Sequence, residues 1–453
     1  MKSIVVIGSG LSGLVLVSSL LEKENEASSI LLIEKNPEQL GKGIAYKSEF
    51  ELQPLNVRAG RMSIYQHHPN HFIQWIRDNY NYRDSGYTEH SFVPRSIYGE
   101  YLKSNLDNLS ATYSTRFQIV LGEVARLEKS DDKWNVILRN EKEIIADQVV
   151  LAPGNFPPPD LSAAHPEIRK HPKYFPLPWQ NGILASIPKD KTVLFVGMGL
   201  STIDHLITLN KNKHTGKIIA ISRNGLLPLT HKLTGAFVPN KDELLNGCET
   251  PIGFLKFLRE KTNTHPNLHW SAIIDGIRPY QNQIWANWSI DQKKQFHRHI
   301  RPFWEIHRHR IPEESSELIK KLIENGQLSI RAGRIKGISL TRSDEFILSY
   351  LDKKSGNLSA VTTDYIVNCT GSQSDFRKID SPLIKQLLSD GHVVLNDLQM
   401  GILTDESGRL IDNKGNSQPN LFTLGPTRKG QLWESVALNE IRQQAENISN
   451  QII

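Results

Sequence analysis

The stretch Ile4-Val5-Val6-Ile7-Gly8-Ser9-Gly10-Leu11-Ser12-Gly13-Leu14-Val15-Leu16-Val17 decides how the whole chain is read. Four consecutive apolar residues suit a strand buried on both faces, and the glycine-rich turn leads straight into an apolar helix. Each glycine has a task. Gly8 permits the tight turn, Gly10 removes a side chain that would stand between backbone and a pyrophosphate, and Gly13 lets helix lie close to strand. Ser9, Leu11 and Ser12 complete the turn, where a helix N-terminus offers unpaired N–H groups and partial positive charge to phosphates. A second apolar run, Ile30-Leu31-Leu32-Ile33, ends in Glu34. An acid there, about 20 residues past the glycines, accepts hydrogen bonds from a ribose diol. Glycines alone mark plain turns. Strand, turn, helix, strand and terminal acid together point to a bound dinucleotide.

Hydropathy gives the same stretch a second reading, because Ser3 to Leu21 is almost uncharged and about long enough to span a bilayer. Its three glycines fit strand, turn and helix better than a signal or an anchor. No membrane insertion and a cytoplasmic location are therefore expected. The 453 residues are 38% apolar and 23% charged, as in a globular protein of two or three domains. A net charge of +6 is mild for this length and does not indicate nucleic acid. Cys248 and Cys369 form no C-x-x-C pair, zinc pattern or disulfide framework, and no metal site is expected.

The opening pattern recurs. Val193-Leu194-Phe195-Val196 runs into Gly197-Met198-Gly199-Leu200-Ser201-Thr202, with Thr202 at the third glycine position. The next strand, Ile218-Ile219-Ala220-Ile221, ends in Ser222-Arg223 instead of an acid. An Arg at that place accommodates a ribose 2′-phosphate, so this half reads as an NADPH site. A nucleotide fold that has lost its ligand is the alternative. Each turn has a closing strand far downstream, Val149-Val150-Leu151-Ala152-Pro153-Gly154 and Tyr365-Ile366-Val367-Asn368-Cys369-Thr370-Gly371. Alternation at Trp134, Val136 and Leu138 predicts an antiparallel meander before the first of these. Pro419-Asn420-Leu421-Phe422-Thr423-Leu424-Gly425 is a late strand and turn.

With two nested dinucleotide folds and these closing strands, the chain resembles the two-domain FAD/NAD(P)H oxidoreductases, which include glutathione-reductase-like enzymes and flavin monooxygenases. More narrowly it resembles bacterial FAD/NAD(P)-binding proteins, through Gly41-Lys42-Gly43-Ile44-Ala45-Tyr46, Leu55-Asn56-Val57-Arg58-Ala59, Met62, Pro94-Arg95, Tyr98-Gly99, Ser222-Arg223-Asn224-Gly225-Leu226-Leu227-Pro228, Arg308-His309-Arg310 and Trp433-Glu434. The resemblance implies FAD at the first turn and NADPH at the second. Lys35, Asn56, Met62, Arg95, Val124, Gly154 and Gly425 join the first turn and Glu34 as expected FAD contacts; Gly197, Gly199, Ser201, Thr202 and Arg223 are those for NADPH. Pro426 stands where many relatives carry Asp, and Pro153 where Thr is common, so backbone at Gly154 and Gly425 is expected to line the flavin.

The expected fold class is α/β: two nested Rossmann-like FAD and NAD(P)H domains with β-meanders and a helical insertion. The FAD domain is expected over 1–165 and 385–453, the NAD(P)H domain over 185–222 and 328–384, and the insertion, a possible substrate lid, over 223–327. A flavin carries the chemistry while the protein binds and orients. Without a C-x-x-C pair electrons must pass directly to a small molecule or to oxygen, which favours a single-component monooxygenase. A simple NAD(P)H-dependent reductase and a non-catalytic FAD-binding module are the alternatives. The Phe-x-Gly-x-x-x-His signature of Baeyer–Villiger relatives has only a loose counterpart in His171-Pro172-Lys173-Tyr174. Catalytic residues are not assigned. His307, Arg308 and Arg310 are candidates, because two Arg forks on an extended segment before Pro312 would clamp a carboxylate or phosphate of the substrate; the alternative is that one pairs with an internal acid. His67-His68 and Glu434 are read either as flavin neighbours or as structural.

Overall fold

The computed structural model describes residues 2–23, 28–47, 51–80, 86–180 and 182–452. It divides into two compact units, one of Met1–Glu51, Val57–Phe156 and Gln373–Ile453, the other of Leu52–Asn56 and Pro157–Ser372.

In unit 1, β1 (Lys2–Ile7), β2 (Ser28–Glu34), β3 (Phe117–Leu121), β7 (Gln148–Leu151), β15 (Arg409–Ile411) and β16 (Ser417–Thr423) form a six-stranded sheet in the order β15-β16-β7-β1-β2-β3. Every pair is parallel except β15 with β16. Ile4 to Val6 are fully buried, as a central parallel strand requires. The helix Leu11–Glu22 is apolar nearly all round because it is covered on two sides, by the sheet and by the C-terminal helix Leu438–Ile452. The meander of β4 (Val124–Ser130), β5 (Lys133–Leu138) and β6 (Glu143–Ala146) is a separate antiparallel sheet.

Residues 373–384 were expected with the second nucleotide fold, yet they pack in unit 1. Phe376, Ile379, Leu383, Ile384 and Leu387 join the core of Leu127, Trp134 and Val136. Their burial, worth roughly 1.5–3 kcal/mol each, outweighs their closeness in sequence to the second closing strand. The indole N–H of Trp134 donates to Asn420 Oδ1 at 3.0 Å, tying the meander to the returning segment.

Unit 2 holds a seven-stranded sheet built from β8 (Tyr174–Phe175), β9 (Val193–Val196), β10 (Ile218–Ser222), β11 (Leu328–Leu340), β12 (Phe346–Asp352), β13 (Leu358–Thr363) and β14 (Tyr365–Asn368), in the order β13-β12-β11-β10-β9-β14-β8. One long strand fuses nucleotide fold and meander. The first part of β11 pairs parallel with β10, and from Gly333 onward it pairs antiparallel with β12. A Cβ at Gly333 would lie 2.6 Å from the Leu351 carbonyl oxygen, so only glycine fits where the strand changes partner.

The region between β10 and β11 is largely helical, as expected of the insertion. Helices Lys241–Gly247, Pro251–Thr264 and Ile290–Gln295 carry side-chain caps from Asn240, Thr250 and Ser289. Trp285, Trp288, Trp304, Phe254 and Phe296 form the insert's buried aromatic core. A π-helical turn, Phe296–Ile300, precedes helix Arg301–Arg308, where Pro302 lacks the N–H that a regular ladder would need. Helix Glu313–Glu324, expected within the insert, instead packs on β11 and on helix Leu200–Lys211. Ile319 and Leu322 enter the same core as β9, which makes it the crossover helix of the nucleotide fold.

Candidate functional site: two glycine turns

The two glycine turns are held by equivalent bonds. Gly8 N–H donates to the Ile33 carbonyl at 2.8 Å and Ala152 N–H to Ile7 at 2.8 Å; Gly197 N–H donates to Ile221 at 2.8 Å and Cys369 N–H to Val196 at 2.8 Å. Gly8 has φ +104° and Gly197 +111°, and a Cβ would lie 2.2 Å from the Ala152 oxygen in one and 2.1 Å from the Cys369 oxygen in the other. Both positions therefore demand glycine for the turn itself. The third position differs. A Cβ at Gly13 would lie 1.9 Å from the Gly8 oxygen, whereas Thr202 keeps a side chain and turns the contact into a hydrogen bond, Oγ1 donating to the Gly197 carbonyl at 2.8 Å.

Both turns fit a dinucleotide. The N-caps Gly10 and Gly199 give no side-chain cap, and neither first turn carries an acid. Three helices of the insert spend Asn240, Thr250 and Ser289 on the same task. Uncapped N–H groups with no competing carboxylate are what an anion at a helix N-terminus requires. At Gly199 a Cβ would meet nothing within 4 Å, so the space beside the turn is open.

The carboxylate of Glu34 is engaged by the chain itself. Its Oε2 accepts from Ser9 N–H at 2.9 Å and Ser9 Oγ–H at 2.8 Å, and its Oε1 accepts from Asn36 N–H at 3.0 Å. Ser9 Oγ also accepts from Gly41 N–H at 3.3 Å. A carboxylate has about four acceptor positions, so Glu34 braces the turn and keeps little capacity for a ligand. A Cβ at Gly10 would stand in ordinary contact, 3.5 Å from the Gly43 Cα, so the fold itself tolerates a methyl there. That neighbour was legible only as part of a family-like motif.

The remaining expected contacts divide between the units. Gly425 (φ +79°) lies against the first turn, its Cβ position 2.6 Å from Ser12 Oγ, and its N–H donates to Gln444 Oε1 at 2.9 Å. Gln444 was not anticipated, because its partner is set by the last helix folding back. Gly154 (φ +72°) follows the closing strand with open space beside it. Val124 is buried and opens the meander opposite Leu138. Met62 is buried after a short 3₁₀ turn, Arg95 starts helix Arg95–Thr112, and Lys35 is exposed. Asn56 groups with unit 2, where its carbonyl accepts a hydrogen bond from His231 Nε2 at 3.0 Å. Ser201 is half-buried on the first turn of its helix, and Arg223 is exposed just past β10.

In the insert, helix Arg301–Arg308 ends before His309, and Ile311 is extended beside Leu229 and His231. Arg308 and Arg310 are both buried. The Arg310 guanidinium pairs with Asp275 and stands 6.0 Å from the Trp270 ring, which also meets His307 edge-on at 4.8 Å. Burial acts to raise the pKa of Glu305, but His309 at 2.7 Å and Arg301 at 3.0 Å outweigh it and hold the carboxyl well below its usual range. His171 bonds Asp344 at 2.9 Å on a meander turn, and the exposed His67 lies 3.7 Å from Glu446. Glu434 is buried just before the last helix.

Both thiols are buried, and that burial pushes each up to about 12. Among the described residues no group of three or more His, Cys, Asp or Glu could hold a metal ion, and no helix is long and apolar enough to cross a membrane.

Residues 5–156 match a protein family described as FAD-NAD(P)-binding. The match spans the first glycine turn, the meander and the first closing strand. No curated protein matches the whole sequence. Among solved structures, the chain is similar to an ornithine N-hydroxylase from Kutzneria sp. 744, with reduced FAD, NADP+ and L-ornithine, at 14% identity and a TM-score of 0.69 over 100% of this chain and 99% of that one. It is similar to L-lysine 6-monooxygenase from Pseudomonas syringae at 14% identity and TM-score 0.69, over 100% and 99%. A thioredoxin reductase from Lactococcus lactis gives 13% identity and TM-score 0.52, over 100% and 98%. At these identities the likeness is one of fold, and the fold is that of the two-dinucleotide-binding flavoproteins.

Proposed function

We propose that the chain is an FAD-dependent, NADPH-consuming, single-component monooxygenase acting on a small molecule. The observation that carries this is the pair of glycine turns with equivalent bonds and uncapped helix N-termini, on a chain whose two thiols are buried apart from any dithiol motif. FAD, when bound, would supply the redox chemistry between NADPH and oxygen. The protein's part is positional. Helix Leu11–Glu22 presents its N–H groups to the FAD pyrophosphate, Glu34 keeps Ser9 and the turn in register, and Gly154 and Gly425 offer backbone. Helix Leu200–Lys211 does the same for NADPH, with Arg223 toward the 2′-phosphate.

The fold likeness to ornithine and lysine hydroxylating enzymes supports a nucleophilic amine nitrogen as oxygen acceptor. The dithiol route of a thioredoxin reductase lacks its thiols here. His307 and Arg308 are our proposed contacts for an anionic group of the substrate, while the pairing of Arg310 with Asp275 favours a bracing role for that residue. Unbridged Cys248 and Cys369 accord with a cytoplasmic location.

The test begins with the visible spectrum of the purified protein, followed by NADPH with and without air. We expect a flavin band, bleaching by NADPH without air, recovery in air, and hydroxylamine product from at least one member of a panel of amino acids and diamines. Bleaching and recovery with no product from any oxygen acceptor would leave a reductase. Protein that purifies and reconstitutes without flavin would overturn the enzyme reading altogether.

A further inference from the structure

The turn that follows β10 is reached by a cation from far along the chain. Ser222 Oγ accepts from Gly225 N–H at 3.0 Å and closes the turn Ser222-Arg223-Asn224-Gly225. Gly225 has φ +65°, and its Cβ position lies 2.9 Å from the Ala332 Cβ, so the turn sits directly on β11. Lys353, just past β12, is anchored at the same place, its N–H donating to the Ala332 carbonyl at 2.8 Å. Its Nζ donates to Asn224 Oδ1 at 2.7 Å. Lys353 and Arg223 are both exposed. The nearest acid in sequence, Asp352, is already engaged by the N–H groups of Lys354 and Ser355 at 3.0 and 2.8 Å and by Ser355 Oγ at 3.0 Å.

We propose that Lys353 is a second cation of the ribose 2′-phosphate site and, with Arg223, sets the preference for NADPH over NADH. This deepens, and rests on, the NADPH reading above. An ammonium group has three donors, and Asn224 takes one. The other two remain for phosphate oxygens while the bond to Asn224 holds the side chain in place, so less conformational freedom is lost on binding. Arg223 supplies a planar fork and Lys353 a point charge from the neighbouring hairpin. Arg331, also exposed, is not part of the site. It sits one residue before Ala332 on β11, and the two-residue period turns its side chain to the opposite face of the sheet.

The experiment measures calorimetric binding of 2′,5′-ADP and 5′-AMP, which differ only in the 2′-phosphate, to the full-length protein and to Lys353→Gln, Lys353→Arg and Arg223→Ala. Lys353→Gln keeps an amide able to bond Asn224 and loses the charge. Its affinity for 2′,5′-ADP should fall roughly ten-fold with 5′-AMP unchanged. Lys353→Arg should restore most of that loss, and the difference should shrink as salt is raised, because exposed charges are screened over about 10 Å at 0.1 M. Wild-type affinity for 2′,5′-ADP in Lys353→Gln, with a loss only in Arg223→Ala, overturns the inference and leaves the NADPH reading standing. Equal losses for both nucleotides make Lys353 a structural prop and overturn it as well. A wild-type protein that binds the two nucleotides equally overturns the NADPH reading and this inference together.

Discussion

Gly199→Ala separates binding from folding at the second turn. Gly199 has φ −84° and ψ −167°, an extended conformation open to any L-residue. A Cβ there would have nothing within 4 Å. The substitution removes only the extra freedom of glycine in the unfolded chain, so stability should hold or rise by about 0.4–1 kcal/mol. Gly197→Ala is the contrast two residues earlier. A side chain at φ +111° costs about 1–3 kcal/mol in backbone strain. Its Cβ would also lie 2.1 Å from the Cys369 carbonyl oxygen, where neither backbone can yield without opening the sheet. The folded state should lose about 3 kcal/mol or more. Ligand binding should rank the variants differently. With a pyrophosphate against the turn, the Gly199→Ala methyl fills the space that the phosphate needs. The loss of one charge-assisted hydrogen bond, about 1.5–3 kcal/mol, weakens NADP+ binding roughly ten- to hundred-fold. Thermal unfolding followed by circular dichroism, with NADP+ titration by calorimetry, gives both quantities. Wild-type NADP+ affinity in Gly199→Ala would refute the assignment of the turn, and a stability loss equal to that of Gly197→Ala would show that the glycine serves the fold alone.

Gly10→Val brings two γ-carbons toward the Gly43 Cα and the pyrophosphate path, so the protein should purify without flavin; a stoichiometric flavin band in that variant would contradict the first site. Glu305→Gln should lower Tm most near neutral pH. A depressed carboxylate contributes fully above its unfolded pKa, about 4.3, and progressively less as pH falls below it, so the Tm gap should narrow below about pH 4.5, and a pH-independent gap would speak against the ion pairs with His309 and Arg301. Because burial pushes Cys248 and Cys369 up to about 12, native protein should resist iodoacetamide and keep its NADPH-driven oxygen uptake. Rapid alkylation with loss of uptake would reinstate a thiol route.

The glycine turns were legible because a strand, a tight turn and a helix lie within a few residues; the clash at Gly13 comes from the motif's own Gly8 carbonyl, whereas those at Gly8 and Gly197 come from the Ala152 and Cys369 carbonyls of the distant closing strands. The helical character of the insert followed equally from short-range pattern. Glu34 does end β2, but its hydrogen bonds to Ser9 and Asn36 were not foreseen, since a carboxylate at the end of a strand looks the same in sequence whether it waits for a ribose or closes its own loop.

By itself the sequence determined that two dinucleotide folds are nested in one chain and that no dithiol serves them, because strand periodicity, glycine placement and cysteine spacing are properties of the chain alone. Only the tertiary structure decided where the pieces between them belong. Residues from Gln373 pack with the first unit and helix Glu313–Glu324 with the second. Arg310 meets Asp275, 35 residues earlier, and Lys353 meets Asn224, 129 residues earlier. Those partners are chosen by which apolar faces bury against each other and by which charges that burial brings within reach, and neither is a function of spacing along the chain.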